Sequence, residues 1–471
     1  MDSAMIQRMI IAAMFGLVLG LISYWSIRLG LRGREKDGRK VYASFSYYGA
    51  LPFVLLILGA MSRLMLGDEA DPMLFTSLFS VAVSLTVYYV LLALLMPWLR
   101  RRINSWACAA LWLVPNVLYI FGNDYMQLTA PLLIIKASRD LMTALLGVWF
   151  AGFVLIMAWK TEEHLLFRRR VLRNAEKLKV PLWDEVFAQV CPNRNRPPLY
   201  RSAEVRTPLT IGLFAGNRVV VLPVRDYTDE ELRLVLMHEA VHIARFDAVS
   251  KLGLVSMAAF CWFNPLVWLA MRRSADDIEL SCDESVTLGA DEAERRRYAD
   301  LILSSAGDER GFTTCLSARA SSLRYRLRQI MKPAAKRSGA LLIGFAAFFL
   351  ILGCGHIAFA YGGGTGEELI FGGQDTSLYT VSDGSCTDPE GLKDYVASLE
   401  LMELTEEYDF DLDGVRHRVV IFDAPGGQIY VGFYDDIVEF RPLFISSDLW
   451  AEYYYLPAGT DWARLDSFFE P

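Results

Sequence analysis

Long apolar runs alternate with short charged stretches through the first third of the chain. Five such runs are Met5–Ile27, Ala43–Leu66, Met73–Leu99, Asn104–Gly122 and Leu141–Trp159, and another covers Gly339–Tyr361. Each approaches or exceeds the ~20 residues a helix needs to cross a hydrocarbon core. The first run is long and no small-x-small cleavage site follows it, so it reads as a retained span. A further stretch, Leu252–Met271, has Phe263-Asn264-Pro265 near its middle and Lys251, Arg272 and Arg273 on its flanks. It predicts a helical hairpin broken at Pro265, either buried or dipping into a membrane, with a soluble core helix as the alternative.

The polar flanks orient these runs. Arg28, Arg32, Arg34, Lys36, Arg39 and Lys40 follow the first, and Arg100, Arg101 and Arg102 follow the third. Lys160, Arg168, Arg169, Arg170 and Arg173 follow the fifth, while acidic Asp68, Glu69 and Asp71 separate the second from the third. Basic loops stay cytoplasmic. The N-terminus is therefore expected outside, residues 160–337 inside, and residues 362–471 outside after a last span at 338–361. A single crossing at Leu252–Met271 would break this scheme.

Charge agrees with it. Beyond Gly362 there are 23 Asp/Glu and 5 Lys/Arg, so the net charge of -7 conceals a positive front and an acidic tail. Seven cysteines (Cys108, Cys191, Cys261, Cys282, Cys315, Cys354, Cys386) form no C-x-x-C pair. They predict neither a disulfide framework nor a thiolate zinc site, and Cys282 reads as a buried free thiol.

Chemistry enters at His238-Glu239-Ala240-Val241-His242, inside a helix-like run from Thr228 to Arg245. Histidines four apart share one helix face, so both imidazoles can reach a single Zn²⁺. Glu239 can then take a proton from water activated there. The ordinary alternative is an amphipathic helix carrying these residues by chance. With only five histidines in the chain, that coincidence is a poor account.

A hydrolytic zinc site takes three protein ligands. The acidic, helix-compatible run Ser274–Glu284 offers Glu279 and Asp283, again four apart. One can ligate while the other orients a histidine. Asp276, Asp277 and Glu284 read as solvated acids of the same helix. Asp247, five residues after His242, is a candidate to hold an imidazole through its distal N–H, or a helix-end acid. Ahead of the motif, Thr207 to Pro223 is rich in β-branched residues between Pro and Gly and predicts a two-strand hairpin. Its first strand (Thr207, Pro208, Leu209, Thr210, Ile211, Gly212) is a candidate to bind an extended polypeptide by main-chain hydrogen bonds; a sheet edge without a ligand is the commoner case.

Four motifs in order, T-P-L-T-I-G-L-F…V-V-V-L-P, H-E-A-V-H-I-A-R-F-D, F-N-P-L-V-W and E-L-S-C-D-E-S-V, resemble the BlaR/MecR family of membrane zinc metallopeptidases over about residues 100–330. The Ste24/HtpX-type membrane proteases are similar more distantly. The BlaR/MecR resemblance implies a gluzincin with one Zn²⁺ held by His238, His242 and Glu279, Glu239 as general base, and Asp283 outside the ligands. It also implies regulation from outside and cleavage of a transcriptional repressor or of the chain itself. Ser322–Met331, with Arg324, Arg326 and Arg328, resembles the family's segment ahead of the last span. The family's best-known sensors carry S-x-x-K in the tail. This tail has none and is too short for such a domain, so β-lactam sensing is not carried over.

The tail itself predicts a helix at Gly391–Leu404, paired strands at Arg416–Asp423 and Gln428–Tyr434, and a further strand near Tyr453–Leu456. Trp450, Tyr453, Tyr454, Tyr455 and Trp462 read as core before pocket, and Asp409, Asp411 and Asp413 as solvated acids rather than a Ca²⁺ loop. Ile351–Cys354 reads as small-residue span packing rather than a lipoprotein box.

The expected fold class is mainly α: a multi-pass cell-membrane protein with a cytoplasmic gluzincin (α+β) zinc metallopeptidase domain and a small extracellular α+β C-terminal domain. Its boundaries are 1–159, 160–337, 338–361 and 362–471. The expected function is a signal-regulated membrane endopeptidase. The alternatives are a constitutive protease of Ste24/HtpX type and a non-catalytic receptor. Expected partners are a polypeptide substrate, with a winged-helix repressor as candidate, membrane lipid and, as an option, a second copy. No element predicts direct nucleic-acid binding.

Overall fold

The computed structural model describes residues 3–37, 51–67, 70–119, 133–191, 194–213, 216–305, 320–332, 336–354, 356–405, 416–424, 427–443 and 452–470. Among the described residues three helices are long and apolar enough to cross a membrane: α1 (Ser3–Asp37), α3 (Ala70–Leu99) and α5 (Arg139–Arg173), with α2 (Leu51–Leu66) shorter. The run read as the fourth span is α4 (Ser105–Leu113) followed by a 3-10 segment, Val114–Tyr119. Nearly every residue of α4 is buried, so it is a packed core helix rather than a lipid-facing one. The part of the second span before Leu51, and the loop residues Arg39, Lys40, Asp68 and Glu69, lie outside the described residues.

β1 (Leu133–Lys136) precedes α5, a short apolar run after Pro131 that lies outside every element expected from the sequence. Beyond α5 come β2 (Glu176–Leu178), α6 (Pro181–Val190), β3 (Leu199–Ser202), β4 (Leu209–Ile211) and β5 (Val219–Pro223). They form a four-stranded sheet in the order β2-β3-β5-β4. The predicted hairpin is β4 with β5, paired antiparallel from Leu209↔Val221 to Ile211↔Val219. Next stand α7 (Asp229–Arg245), α8 (Asp247–Phe260), α9 (Pro265–Thr287), α10 (Glu292–Ser305), α11 (Ala320–Met331) and α12 (Ala340–Gly353).

α8 and α9 are the hairpin that Pro265 breaks. Pro265 opens α9, with Asn264 accepting from the Leu266 N–H. α8 packs on α5; its buried residues are apolar toward its C-terminal end, from Met257 to Phe260, and include polar Asp247, Ser250, Lys251 and Ser256 nearer its start. α9 corrects the reading of its acids as solvated. Asp277 is buried, gripped by Arg100 Nε and Nη2 at 2.8 and 3.0 Å and by Trp112 Nε1 at 2.8 Å. Glu284 accepts from Ser105 Oγ at 2.7 Å and is paired with Lys336. These bonds fasten α9 to the ends of α3 and α4.

The apolar run Gly339–Tyr361 divides in two. Only Ala340–Gly353 is helical, and β6 (Ile357–Thr365) begins inside the stretch read as span. Arg8 of α1 stops the helix: its guanidinium reaches the carbonyls of Ile351 (2.8 Å) and Cys354, groups a helix end leaves without partners.

The tail is strand-rich. After β6 come a single turn α13 (Gly366–Leu369), β7 (Thr380–Val381), α14 (Pro389–Ala397), β8 (Glu400–Leu404), β9 (Arg418–Ala424), β10 (Gly427–Phe433), β11 (Ile437–Leu443), β12 (Glu452–Tyr455) and α15 (Trp462–Ser467). The helix expected to reach Leu404 ends at Ala397, because Glu400–Leu404 pairs with β6 and β12 instead. Sheet order is β1-β6-β8-β12-β11-β10-β9-β7. β1, from the segment before α5, thus joins the C-terminal sheet in parallel with β6. Tyr453 and Tyr454 are core residues; Trp450, Asp409, Asp411 and Asp413 lie outside the described residues.

Candidate metal centre

α7 opens on a reciprocal cap. Thr228 accepts from the Glu231 N–H and Glu231 accepts from the Thr228 N–H, while Asp229, Glu230 and Glu231 suit the positive end of the helix. Seventeen residues later Phe246 stops it in the left-handed conformation (φ 57°). That position is costly for a side chain with a Cβ. The guanidinium of Arg194 covers the Phe246 ring at 4.1 Å. The turn it makes is what brings Asp247 back beneath His242.

His238 and His242 project from one face of α7, as their spacing requires. Their Nε2 atoms are 3.0 Å apart. Glu279 of α9 places Oε2 3.6 Å from His238 Nε2 and 3.5 Å from His242 Nε2. A tetrahedral ion about 2.0–2.1 Å from each donor holds them roughly 3.3 Å apart, so this triangle fits one zinc with shifts of a few tenths of an ångström. The other carboxylate oxygen, Oε1, accepts from buried Lys251 Nζ at 2.9 Å. Glu279 therefore offers a single free oxygen to the site.

Cys282 is a competing donor: its sulfur and donor atoms of both histidines lie within 4.8 Å of one another. It sits 3.4 Å from His238 Nδ1, the edge turned away from the triangle, and within reach of the His238 carbonyl at 3.5 Å. Both Nε2 atoms face Glu279, which makes the carboxylate the better third ligand.

Each imidazole is held from behind. His242 Nδ1 lies 2.7 Å from Asp247 Oδ2. His238 Nδ1 lies 2.7 Å from the Tyr298 hydroxyl. Asp283 is 3.7 Å from His238, too far for a hydrogen bond, and acts through Tyr298, which donates to its Oδ1 at 2.8 Å. Arg326 in turn grips Asp283 with Nε at 2.6 Å and Nη2 at 2.9 Å. No sequence pattern pointed to Tyr298 or Lys251. Arg326 lay in the basic segment noted for its resemblance alone.

Electrostatics follow from this crowding. Burial works against the Glu279 carboxylate, but Lys251 and the two imidazoles overcome it and hold its pKa well below the usual range. Burial also works against charge on the imidazoles. Cys282 and Glu279 outweigh that, so without an ion both hold protons above the ordinary histidine value, His238 up to about 10. Cys282 is raised by burial and lowered more by the two imidazoles, for a net fall.

Glu239 is buried, and its Oε2 accepts from Thr210 Oγ1 of β4 at 2.6 Å. Alternation explains the contact: Leu209 and Ile211 turn into an apolar cluster with Val171 and Phe167 of α5, while Thr210 turns to α7. β4 is an edge strand, paired only with β5 among the described residues, yet all three of its residues are buried.

Residues 127–330 match the family model described as BlaR1 peptidase M56. The chain is 27% identical over 196 residues to the regulatory protein BlaR1 of Bacillus licheniformis, covering 41% of this chain and 32% of the relative. It is 28% identical over 105 residues to the methicillin resistance mecR1 protein of Staphylococcus aureus strain Mu50, covering 22% and 18%. Against the regulatory protein BlaR1 of Staphylococcus aureus it is 24% identical over 161 residues, covering 32% and 27%. The matches thus span a third or less of the length of these curated relatives.

Proposed function

We propose that this chain, whose residues 127–330 match the BlaR1 peptidase M56 model, is a zinc-dependent endopeptidase of the BlaR/MecR kind regulated through its C-terminal sheet. The observation that carries this reading is the convergence of His238 Nε2, His242 Nε2 and Glu279 Oε2, with Glu239 adjoining on the same helix. His238, His242 and Glu279 would hold the ion. Bound zinc supplies Lewis acidity, which acidifies a water and polarises a peptide carbonyl.

The protein's own groups do the rest. Glu239 accepts the proton of the attacking water and delivers it to the leaving amine. Asp247 and Tyr298 keep the imidazoles oriented. An extended polypeptide lies along the open edge of β4 by main-chain hydrogen bonds, beside Glu239. The substrate is a cytoplasmic repressor or the chain's own cytoplasmic part.

Orientation and regulation belong to the same reading. Arg100 with Asp277 ties the basic end of α3 to the peptidase side, and β1 with β6 ties the segment before α5 to the tail. This arrangement supports a cytoplasmic peptidase and an outer sheet. α5 alone, at 35 residues about 52 Å long, runs from β1 to the cluster behind β4.

The test is Glu239→Gln in the full chain in nanodiscs, assayed on denatured casein and for self-cleavage. Loss of both activities with zinc retained is expected; persisting cleavage removes the reading. Deleting residues 356–471 separates it from a constitutive protease, whose activity would not change.

A further inference from the structure

Four side chains from four helices, the middle two buried and the outer two partly buried, form one line. It runs from His238 on α7 to Tyr298 on α10, to Asp283 on α9, to Arg326 on α11. Tyr298 is 2% exposed and Asp283 1%. His238 is itself a corner of the metal triangle, and at the far end Arg326 Nη2 stands 3.9 Å from the Glu279 Oε2 corner, a longer contact than its grip on Asp283.

The direction of every bond in the line is set from its far end. A carboxylate clasped by a guanidinium stays ionised and can only accept. Tyr298 must then give its hydrogen to Asp283, which leaves its oxygen able only to accept from His238. Neutral His238 therefore keeps its proton on Nδ1 and turns the Nε2 lone pair toward His242 and Glu279. That is the tautomer and the orientation a ligand requires. Cys282 Sγ also stands 3.4 Å from His238 Nδ1 and 3.5 Å from the His238 carbonyl, but the Tyr298 hydroxyl is the nearer partner of Nδ1 at 2.7 Å.

We propose that Tyr298 and Arg326 are positioning residues for the metal ligand His238, with Arg326 setting its tautomer through Asp283 and the Tyr298 hydroxyl. The inference rests on the zinc reading above. It has a consequence for regulation. α11 is the helix ahead of α12, and Lys336 and Arg337 between them are fastened to Glu284 and Ile103. A shift of α11 withdraws Arg326 and frees an imidazole that lies two side chains away.

The rival account is an ordinary buried ion pair holding α11 to α9. Zinc affinity separates the two, measured by competition with a chromophoric chelator on the full chain in nanodiscs. Tyr298→Phe is expected to weaken zinc binding by about 10–100-fold, and Arg326→Met by about tenfold, the lower end of that range. The double variant is expected to lose less than the sum of the two single losses, since Arg326 acts mainly through the hydroxyl and its direct contact with Glu279 Oε2 is the longer one, at 3.9 Å. If Arg326→Met does not fold, Arg326→Lys keeps the charge, loses the two-pronged grip, and is expected to weaken binding detectably. Unaltered affinity in the single variants, or losses that add in the double, overturns the proposal. A wild-type chain that binds no zinc overturns the reading it rests on instead.

Discussion

Thr210 donates its hydroxyl to Oε2 of Glu239 over 2.6 Å, so the edge strand touches the carboxylate directly. A hydrogen bond to a charged group is worth about 1.5–3 kcal/mol. Here it fixes the rotamer from which Glu239 works. Thr210→Val keeps the shape and removes the bond. The expected outcome is a fall in kcat of about 10–100-fold, with zinc content unchanged. Steady-state kinetics and metal analysis check it. Full activity in Thr210→Val would mean that Glu239 is held by other groups.

How far the sequence foretold this site depends on distance along the chain. His238, Glu239 and His242 were legible because helix geometry relates neighbours one turn apart. Asp247 was legible for the same reason, although the left-handed turn at Phe246 that delivers it was not. Glu279 and Asp283 could be placed on one face but not told apart, since that needs the packing of α9 on α7. Tyr298 and Arg326 reach His238 only because α10 and α11 fold over α9, and nothing local encodes that. Asp277 was misread because charge on a helix suggests water until the partner, Arg100, is seen 177 residues away. The last apolar run was overextended because hydrophobicity alone does not separate a span from a buried strand such as β6.

Lys251 and Glu279 form a buried pair at 2.9 Å. Removing one partner of such a pair costs about 3–5 kcal/mol, because the other charge is left in a dry site. Lys251→Met should therefore destabilise the metal-free chain strongly. With zinc present the ion neutralises Glu279 and most of the loss should vanish. Thermal melting with and without zinc is the measurement. The gap between the two midpoints is expected to widen relative to wild type, and a gap that stays the same would exclude this division of charge.

Both imidazoles retain protons above the usual histidine range when no ion is present. A protonated Nε2 cannot ligate, so zinc must displace protons to enter. Because the metal-free pKa values are raised, the competition persists to higher pH than for ordinary histidines. Zinc affinity is expected to climb steadily from about pH 6 to pH 9, with proton release on binding. Calorimetry in two buffers of different ionisation heat measures that release. An affinity flat across this range would contradict the proton-holding pair.

Gly16 and Gly344 meet where α1 crosses α12. A Cβ on Gly344 would stand 2.5 Å from the Gly16 carbonyl oxygen, and one on Gly16 would stand 2.7 Å from that of Gly344. Both obstacles are backbone and cannot swing aside. Gly16-Leu-Val-Leu-Gly20 is itself the small-residue spacing that lets two membrane helices approach closely, a signal that the hydrophobic run concealed. Gly344→Val should force the helices apart and lower the melting temperature in nanodiscs, at a cost of about 1–3 kcal/mol from overpacking. Gly147 of α5 is the matched control, since a Cβ there meets nothing within 4 Å. Gly147→Val is expected to leave the melting temperature nearly unchanged. Zinc content should be normal in both variants, because α1, α5 and α12 carry none of the candidate ligands or the side chains that hold them. Equal melting temperatures for the two substitutions would show that α1 and α12 do not pack through these glycines.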